Sequence, residues 1–355
     1  MRAARYYDRK DIRIEDIEAP VAGAGEVLID VAWCGICGTD LHEYLDGPIF
    51  VPPAGHPHPI SGESAPVTLG HEMSGTVAAL GEGVTDLEVG QHVVVEPYII
   101  HEEYYGKENY QLSPDMNFIG LGGRGGGLAE QIAVDRHWVH PISEKVGLDE
   151  AALIEPLSVA HHAVSRSEAA AGDVAIIGGA GPIGVLTAAV LKALDITVIV
   201  SELSELRRQK ALETGVADYA FDPRDVDVAE EVRKLTDGKG ADVGFEATSV
   251  DVVLNMLFDA VRPGGVIVNE SIWGHRPEAD LATLVLKELD LRGTIGYSFD
   301  HAATIKLVEE GKIDLKPFIT GKIGLDGLID EGFDTLINRN ETAVKILVSP
   351  SGKGL

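Results

Sequence analysis

Three glycines at fixed spacing, in Gly179-Ala180-Gly181-Pro182-Ile183-Gly184, constrain this chain more than any other feature. The motif follows the short apolar run Val174-Ala175-Ile176-Ile177 and opens the alanine-rich apolar segment from Ile183 to Leu194. A GxGxxG turn standing between a strand and a helix is the signature of a dinucleotide site. Among 41 glycines the pattern alone is weak; its setting gives it force. Gly179 permits the tight turn, Gly181 lets backbone approach a pyrophosphate, and Gly184 allows close packing of helix on strand. Together with Pro182 and Ile183 they form the predicted cofactor cradle, where a helix N-terminus offers N–H groups to the phosphates.

The alternation of strand and helix continues beyond this turn. Thr197-Val198-Ile199-Val200 is a second apolar strand, Ser204 to Thr214 is helical in composition, and Val243-Gly244-Phe245-Glu246 and Val266-Ile267-Val268 repeat the theme. Such alternation predicts a doubly wound parallel sheet, ending around Leu291 to Tyr297. Before residue 158 the chain reads differently. Gly25 to Trp33 alternates like a half-buried strand, Val67 to Leu80 and Gln91 to Glu96 are similar, and Gly47 to Pro66 reads as an irregular surface loop. The tail, closing with Thr342 to Val348, has the pattern of a helix and strand returning to the first domain. A chain of 355 residues accommodates two such domains. The expected class is therefore α/β: a β-rich catalytic domain from 1–157 and 297–355, and a doubly wound nucleotide-binding domain over 158–296.

Glu202 stands at the end of the second predicted strand, about twenty residues beyond the glycine turn. An acid there accepts hydrogen bonds from the adenosine ribose and repels a 2′-phosphate, which favours NAD over NADP. The alternative is that Glu202 caps the following helix. Arg207 and its neighbour Arg208 keep NADP as a minor option.

Charge and composition exclude several partners. A formal net charge of -28 repels nucleic acid and anionic membrane alike, so neither is expected as a partner. No run of about twenty apolar residues suggests a membrane span. Met1 to Asp8 lacks the apolar run of a secretory leader, and cytoplasmic residence is expected.

Only two cysteines occur, Cys34 and Cys37. Their CxxC spacing is open to a redox pair, half a zinc ribbon, or one ligand beside a bystander. A ribbon needs a second pair. A redox pair is expected to open a helix after a strand, whereas Gly35, Gly38, Thr39 and Asp40 suggest a loop. The lone-ligand reading survives best. A catalytic zinc takes three protein ligands and keeps a position open. Cys37 and His71 are candidates for two. The third must be a carboxylate: Glu155 lies between apolar segments, where an unpaired acid is costly, and Glu72 competes with it.

Cys34-Gly35-Ile36-Cys37-Gly38-Thr39-Asp40-Leu41-His42, then Gly70-His71-Glu72 and Glu155-Pro156, resemble the medium-chain zinc alcohol and polyol dehydrogenases, in order and over essentially the whole chain. His42 to Phe50 and Glu155 to Ala160 are most similar to the butanediol dehydrogenases among them. The resemblance implies a GroES-like catalytic domain, a Rossmann domain, one catalytic Zn2+ and NAD, with a small secondary alcohol or vicinal diol, or its ketone, as substrate. It further implies that Cys37, His71 and Glu155 hold the metal with Glu72 close by, that Asp40 orients His71, and that Thr39 passes the substrate proton toward the cofactor ribose, with His42 as the terminus of that relay. Cys34 matches a position that is not a ligand. Trp33, Phe50, Phe118, Ile119 and Trp273 are expected near the substrate, and a homodimer or homotetramer is expected through the edges of the Rossmann sheet. One departure is plain: many relatives carry a four-cysteine structural zinc after a Val-Glu-Pro segment, and Val95-Glu96-Pro97 is followed here by no cysteine. Sorbitol, threonine or other secondary-alcohol dehydrogenases remain alternatives, as does, from another class, a non-catalytic NAD-binding sensor.

Overall fold

The computed structural model describes residues 1–340 and 343–355; Thr342, the first residue of the predicted tail segment, lies outside them. The chain divides into two compact units, one comprising Met1–Glu155, His301–Glu309 and Asp314–Leu355, the other Pro156–Asp300 and Glu310–Ile313.

The second unit is built on six parallel strands in the spatial order Tyr219–Phe221, Thr197–Ser201, Val174–Gly178, Ala241–Glu246, Val261–Asn269 and Asp290–Gly293. The order reverses between Val174–Gly178 and Ala241–Glu246, and in such sheets ligands bind where it reverses, at the carboxyl ends of the strands. Both central strands are apolar on both faces because helices cover both; Ile176, Ile199, Leu257, Phe258 and Ile267 form one continuous buried cluster. The helix Pro182–Ala193 follows the first strand, with Gly181 as its N-cap and proline at its first position, where the missing N–H costs nothing.

The first unit holds a three-stranded sheet and a larger seven-stranded one. In the larger sheet Glu26–Gly35 is central: it pairs antiparallel with Glu72–Leu80, with Gln131–Asp135 and with the tail strand Lys345–Ser349. The register sets Gly35 opposite both Glu72 and Leu347. The expected single strand from Val67 to Leu80 is in fact two, Val67–Thr68 and Glu72–Leu80. Gly70, at φ +98°, breaks it, and a side chain there would collide with the Cys34 Sγ at 2.7 Å. The same break turns His71 out of the pleat.

A second difference concerns the cysteines. The expected loop around Cys37 is a helix, Gly38–Asp46, with Cys37 as its N-cap immediately after the strand Glu26–Gly35. Asp40 closes the first turn by accepting the Cys37 N–H at 2.9 Å. The strand-to-helix setting is thus present, and burial is what removes the redox reading instead. Cys34 is fully buried in its strand, and desolvation pushes its thiol well above the usual range.

Candidate active site

In the first unit, ligand atoms of Cys37, His71 and Glu72 all lie within 4.8 Å of one another, and they form the one such group among the described residues. Cys37 is half-buried, while His71 and Glu72 are buried. The Asp40 carboxylate, fully buried, stands 3.5 Å from His71 Nδ1, which leaves Nε2 for the group. Burial, the largest single influence, drives the imidazole toward neutrality, but Asp40 and then Cys37 together outweigh it and hold it well above its ordinary value. A cysteine sulfur, an oriented imidazole and buried carboxylates are a donor set suited to zinc. Cys37 also lies at a helix N-terminus.

Sequence reasoning missed Lys345. Its ammonium, fully buried, donates to both Glu72 oxygens at 2.6 and 2.7 Å and to the Ile36 carbonyl at 3.2 Å. Burial, the largest single influence, lowers such a group, yet Glu72, with Cys37 and Glu155 adding, outweighs it and raises the ammonium above its ordinary value. Gly35 makes room: a Cβ there would sit 2.0 Å from Glu72 Oε2 and 3.2 Å from Lys345 Cδ. Glu155 is buried at the start of the helix Ile154–Ser167 and lies outside the 4.8 Å group. Nothing around residue 345 in the sequence, a lysine in an apolar tail strand, signals this role.

The helix Gly38–Asp46 carries the predicted relay. Thr39 Oγ1 is 3.7 Å from Cys37 Sγ, and His42, one turn further on, is exposed. Of the residues expected near the substrate, Phe118 lies 6.3 Å from the His71 ring and Phe50 lies edge-on to Phe118, also at 6.3 Å. Trp33 instead lies beneath Lys322 and against Gly354. Trp273 hydrogen-bonds Asn269 within the second unit. Ile119 lines a separate cavity of about 620 Å³ with Arg5 and Arg124, which contains none of the predicted site residues.

The lobe that lacks cysteines is held by aromatic packing. Tyr98 stacks on Phe118 at 5.3 Å and meets Tyr110 and Trp138, while buried Glu96 receives Tyr110 Oη and lies 2.8 Å from His140 Nε2.

In the second unit the three glycines of the turn differ in what surrounds them. Gly179 adopts φ +99°, and a Cβ there would meet Thr248 Cγ2 at 2.5 Å; Gly184 lies so near the Gly179 carbonyl that a Cβ would be 2.1 Å away. Gly181 faces open space. Pro182 and Ile183 form the first turn of the helix that follows. Glu202 accepts from Ala180 N and Ser204 N, each at 2.8 Å, so it ties the glycine turn to the start of the next helix. Arg207 lies 3.9 Å from that carboxylate, and Arg208 is engaged by Asp222 at 2.9 Å. An apolar cavity of about 430 Å³ adjoins Gly179 and Glu202, lined by Leu203, Val226, Val250 and Val253, residues that no motif marked. At the strand ends nearby, burial raises the Glu270 acid well above the carboxylate range; the Thr187 hydroxyl, at 3.0 Å, opposes this and Glu246 adds to it.

Comparison with known proteins agrees with both units. Residues 23–144 match the alcohol dehydrogenase GroES-like domain, and residues 182–310 match the zinc-binding dehydrogenase domain. The chain is 65% identical over 353 residues to the (R,R)-butanediol dehydrogenase of Neisseria gonorrhoeae, covering 99% of this chain and all of that one. It is 32% identical to the sorbitol dehydrogenase of Bacillus subtilis, covering 99% and 98%. The crystal structure of 2R,3R-butanediol dehydrogenase from Bacillus subtilis superposes with a TM-score of 0.93 at 44% identity, covering 98% of this chain and 99% of that one. The chain belongs to the medium-chain, zinc-dependent alcohol dehydrogenase family, and it is an oxidoreductase of that class built from a GroES-like domain and a Rossmann sheet.

Proposed function

We propose that this enzyme oxidises a small vicinal diol, foremost (R,R)-2,3-butanediol, to its hydroxyketone acetoin, with NAD+ accepting the hydride, and that it catalyses the reverse reduction. The observation that carries this is the convergence of Cys37 and His71 on one donor group, backed by Asp40, in a chain similar from end to end to a butanediol dehydrogenase. Zinc held there supplies a Lewis acid to the substrate oxygen. Cys37, His71 and Glu155 are its proposed ligands. Lys345 already occupies both oxygens of Glu72, which favours Glu155 as the third donor and leaves Glu72 a neighbour that balances charge. Asp40 orients His71. Thr39 would pass the hydroxyl proton toward the cofactor ribose, with His42 as the terminus of that relay, and NAD held at the glycine turn would supply the hydride acceptor. The backbone at Gly181 binds the pyrophosphate, with Gly179, Pro182, Ile183 and Gly184 shaping the turn. Glu202 binds the ribose hydroxyls and disfavours a 2′-phosphate, with Arg207 beside it. The proposed division of the chain is a catalytic domain over 1–157 and 297–355 and a nucleotide domain over 158–296.

The apolar wall of Phe50 and Phe118 fits the methyl groups of butanediol better than the hydroxyls of a polyol. Exposed Leu281, Val285, Leu286 and Leu291 lie on or beside the edge strand Asp290–Gly293, which supports a homodimer or homotetramer formed along that edge. Two free cysteines, one of them a proposed metal ligand, suit the reducing cytoplasm; among the described residues no helix is long and apolar enough to cross a membrane.

The test is NADH production by zinc-loaded protein on the three 2,3-butanediol isomers, sorbitol and threonine, with zinc measured in parallel. The (R,R) isomer is expected to have the highest kcat/KM; a higher value for sorbitol or threonine, or turnover undiminished after the metal is stripped, would refute the reading.

A further inference from the structure

The helix Gly38–Asp46 begins at the proposed zinc ligand Cys37 and ends at a second buried carboxylate with a separate task. Glu43 is fully buried. Its carboxylate accepts N–H bonds from three successive residues of the following loop: Ile49 at 3.0 Å, Phe50, and Val51 at 3.3 Å. Its carbonyl receives Gly47 N at 3.0 Å and Tyr6 Oη at 3.1 Å. A side chain at residue 47 would strike Tyr6 Oη at 2.5 Å and Glu43 Oε2 at 2.7 Å, so the reversal of the chain around Glu43 requires glycine. A buried carboxylate is tolerated only where donors surround it, and these donors all belong to one short loop.

That loop presents Phe50. Its N–H is held by Glu43 and its carbonyl by Asn117 Nδ2 at 2.9 Å, so the residue is fixed on both sides. Its ring meets Phe118 edge-on with an interplanar angle of 71°, and Phe118 lies beside His71. The path from Glu43 to the reacting centre is thus Glu43, the amide of Phe50, the Phe50 ring, Phe118 and the His71 side of the metal group.

We propose that Glu43 is a positioning residue for substrate selection, locking the 49–51 loop so that Phe50 stands as a fixed apolar wall and sets which methyl-bearing diols fit. The inference rests on the diol reading above. With the wall fixed, a methyl on the wrong carbon face collides; with the loop loose, Phe50 yields and the wrong isomer is admitted. A pocket that distinguishes substrates by the placement of one methyl group discriminates by about 10–200-fold, and part of that margin is assigned to the clamp.

The test uses full-length zinc-loaded enzyme and compares Glu43→Ala, Glu43→Gln, Asn117→Ala, Phe50→Ala and the Glu43→Ala/Phe50→Ala double variant. The readout is the ratio of kcat/KM for (R,R)- and meso-2,3-butanediol, with zinc content and NADH affinity measured alongside. Glu43→Ala is expected to shrink the isomer ratio by about tenfold, mainly through KM, with zinc and NADH binding retained. Glu43→Gln, which keeps one acceptor oxygen, should fall between it and wild type. Asn117→Ala should move the ratio the same way, and the double variant should be no less selective than Phe50→Ala, because both changes act through one ring. If Glu43→Ala does not fold, Glu43→Gln and Asn117→Ala carry the same readout. A loss equal on both isomers, or an unchanged ratio, overturns the proposal and leaves the diol reading standing. A wild-type enzyme inactive on every diol overturns both, so the two failures are distinguished by the wild-type assay alone.

Discussion

The two units assemble their sites in opposite ways. The nucleotide site is local: its turn spans six consecutive residues, and Glu202 follows one helix and one strand later. The candidate metal site is dispersed: Cys37, the adjacent His71 and Glu72, and Lys345 come from three separate places along the chain and meet around one strand of the larger sheet. The first depends on backbone shape, which glycine spacing dictates. The second depends on buried charges balancing one another, which only register and packing arrange. Damage should therefore separate cleanly, with metal-side changes sparing NADH affinity and turn changes sparing zinc.

The largest effect tests that separation directly. Cys37→Ser or His71→Ala should lower kcat about a thousandfold or more, since the lost Lewis acid contributes several kcal/mol, and zinc content should fall with it. NADH affinity measured by fluorescence should stay close to wild type; a parallel loss of NADH binding would break the comparison.

Next comes the buried ion pair. Lys345→Met leaves Glu72 charged and unpaired in the interior, a destabilisation of about 3–5 kcal/mol. Adding Glu72→Gln should restore much of it in a denaturant titration. A double variant no more stable than Lys345→Met would show that the lysine matters for some other reason.

On the other side, Gly184→Ala forces a methyl group against the Gly179 carbonyl. Overpacking of this kind costs about 1–3 kcal/mol, and NADH affinity should fall by as much as about a hundredfold while zinc content holds. Zinc loss in this variant would argue against independent sites.

Smaller again is Glu202→Ala, which removes an acceptor from Ala180 N and Ser204 N as well as from the proposed ribose site. The ratio of catalytic efficiencies for NAD over NADP should drop by about tenfold; an unchanged ratio would reduce Glu202 to a cap.

The smallest effect concerns Glu270. Because the folded protein holds this proton more tightly than the unfolded chain does, stability declines as pH rises from the ordinary carboxylate value through the raised one. Glu270→Gln imitates the protonated form and should flatten that part of the decline in Tm. Identical slopes in variant and wild type would show that Glu270 ionises freely.

The sequence by itself determined the glycine turn and the parallel sheet that carries it, and it marked Cys37 and His71, which meet in one donor group, because local backbone geometry and scarce residue types leave few alternatives. Gly179 at φ +99° is where its spacing required it. Residues from Val67 to Leu80 read as one strand because apolar periodicity does not register the break at Gly70, and the helix after Cys37 went unread because its glycine and threonine suggest a loop. Only the tertiary structure decided what Glu72, Lys345 and Glu43 do. Each is an ordinary charged residue in sequence, and its role comes from partners as many as 309 positions away along the chain. Burial without water makes those pairings energetically decisive, and burial is a property of the packed molecule, not of any local segment.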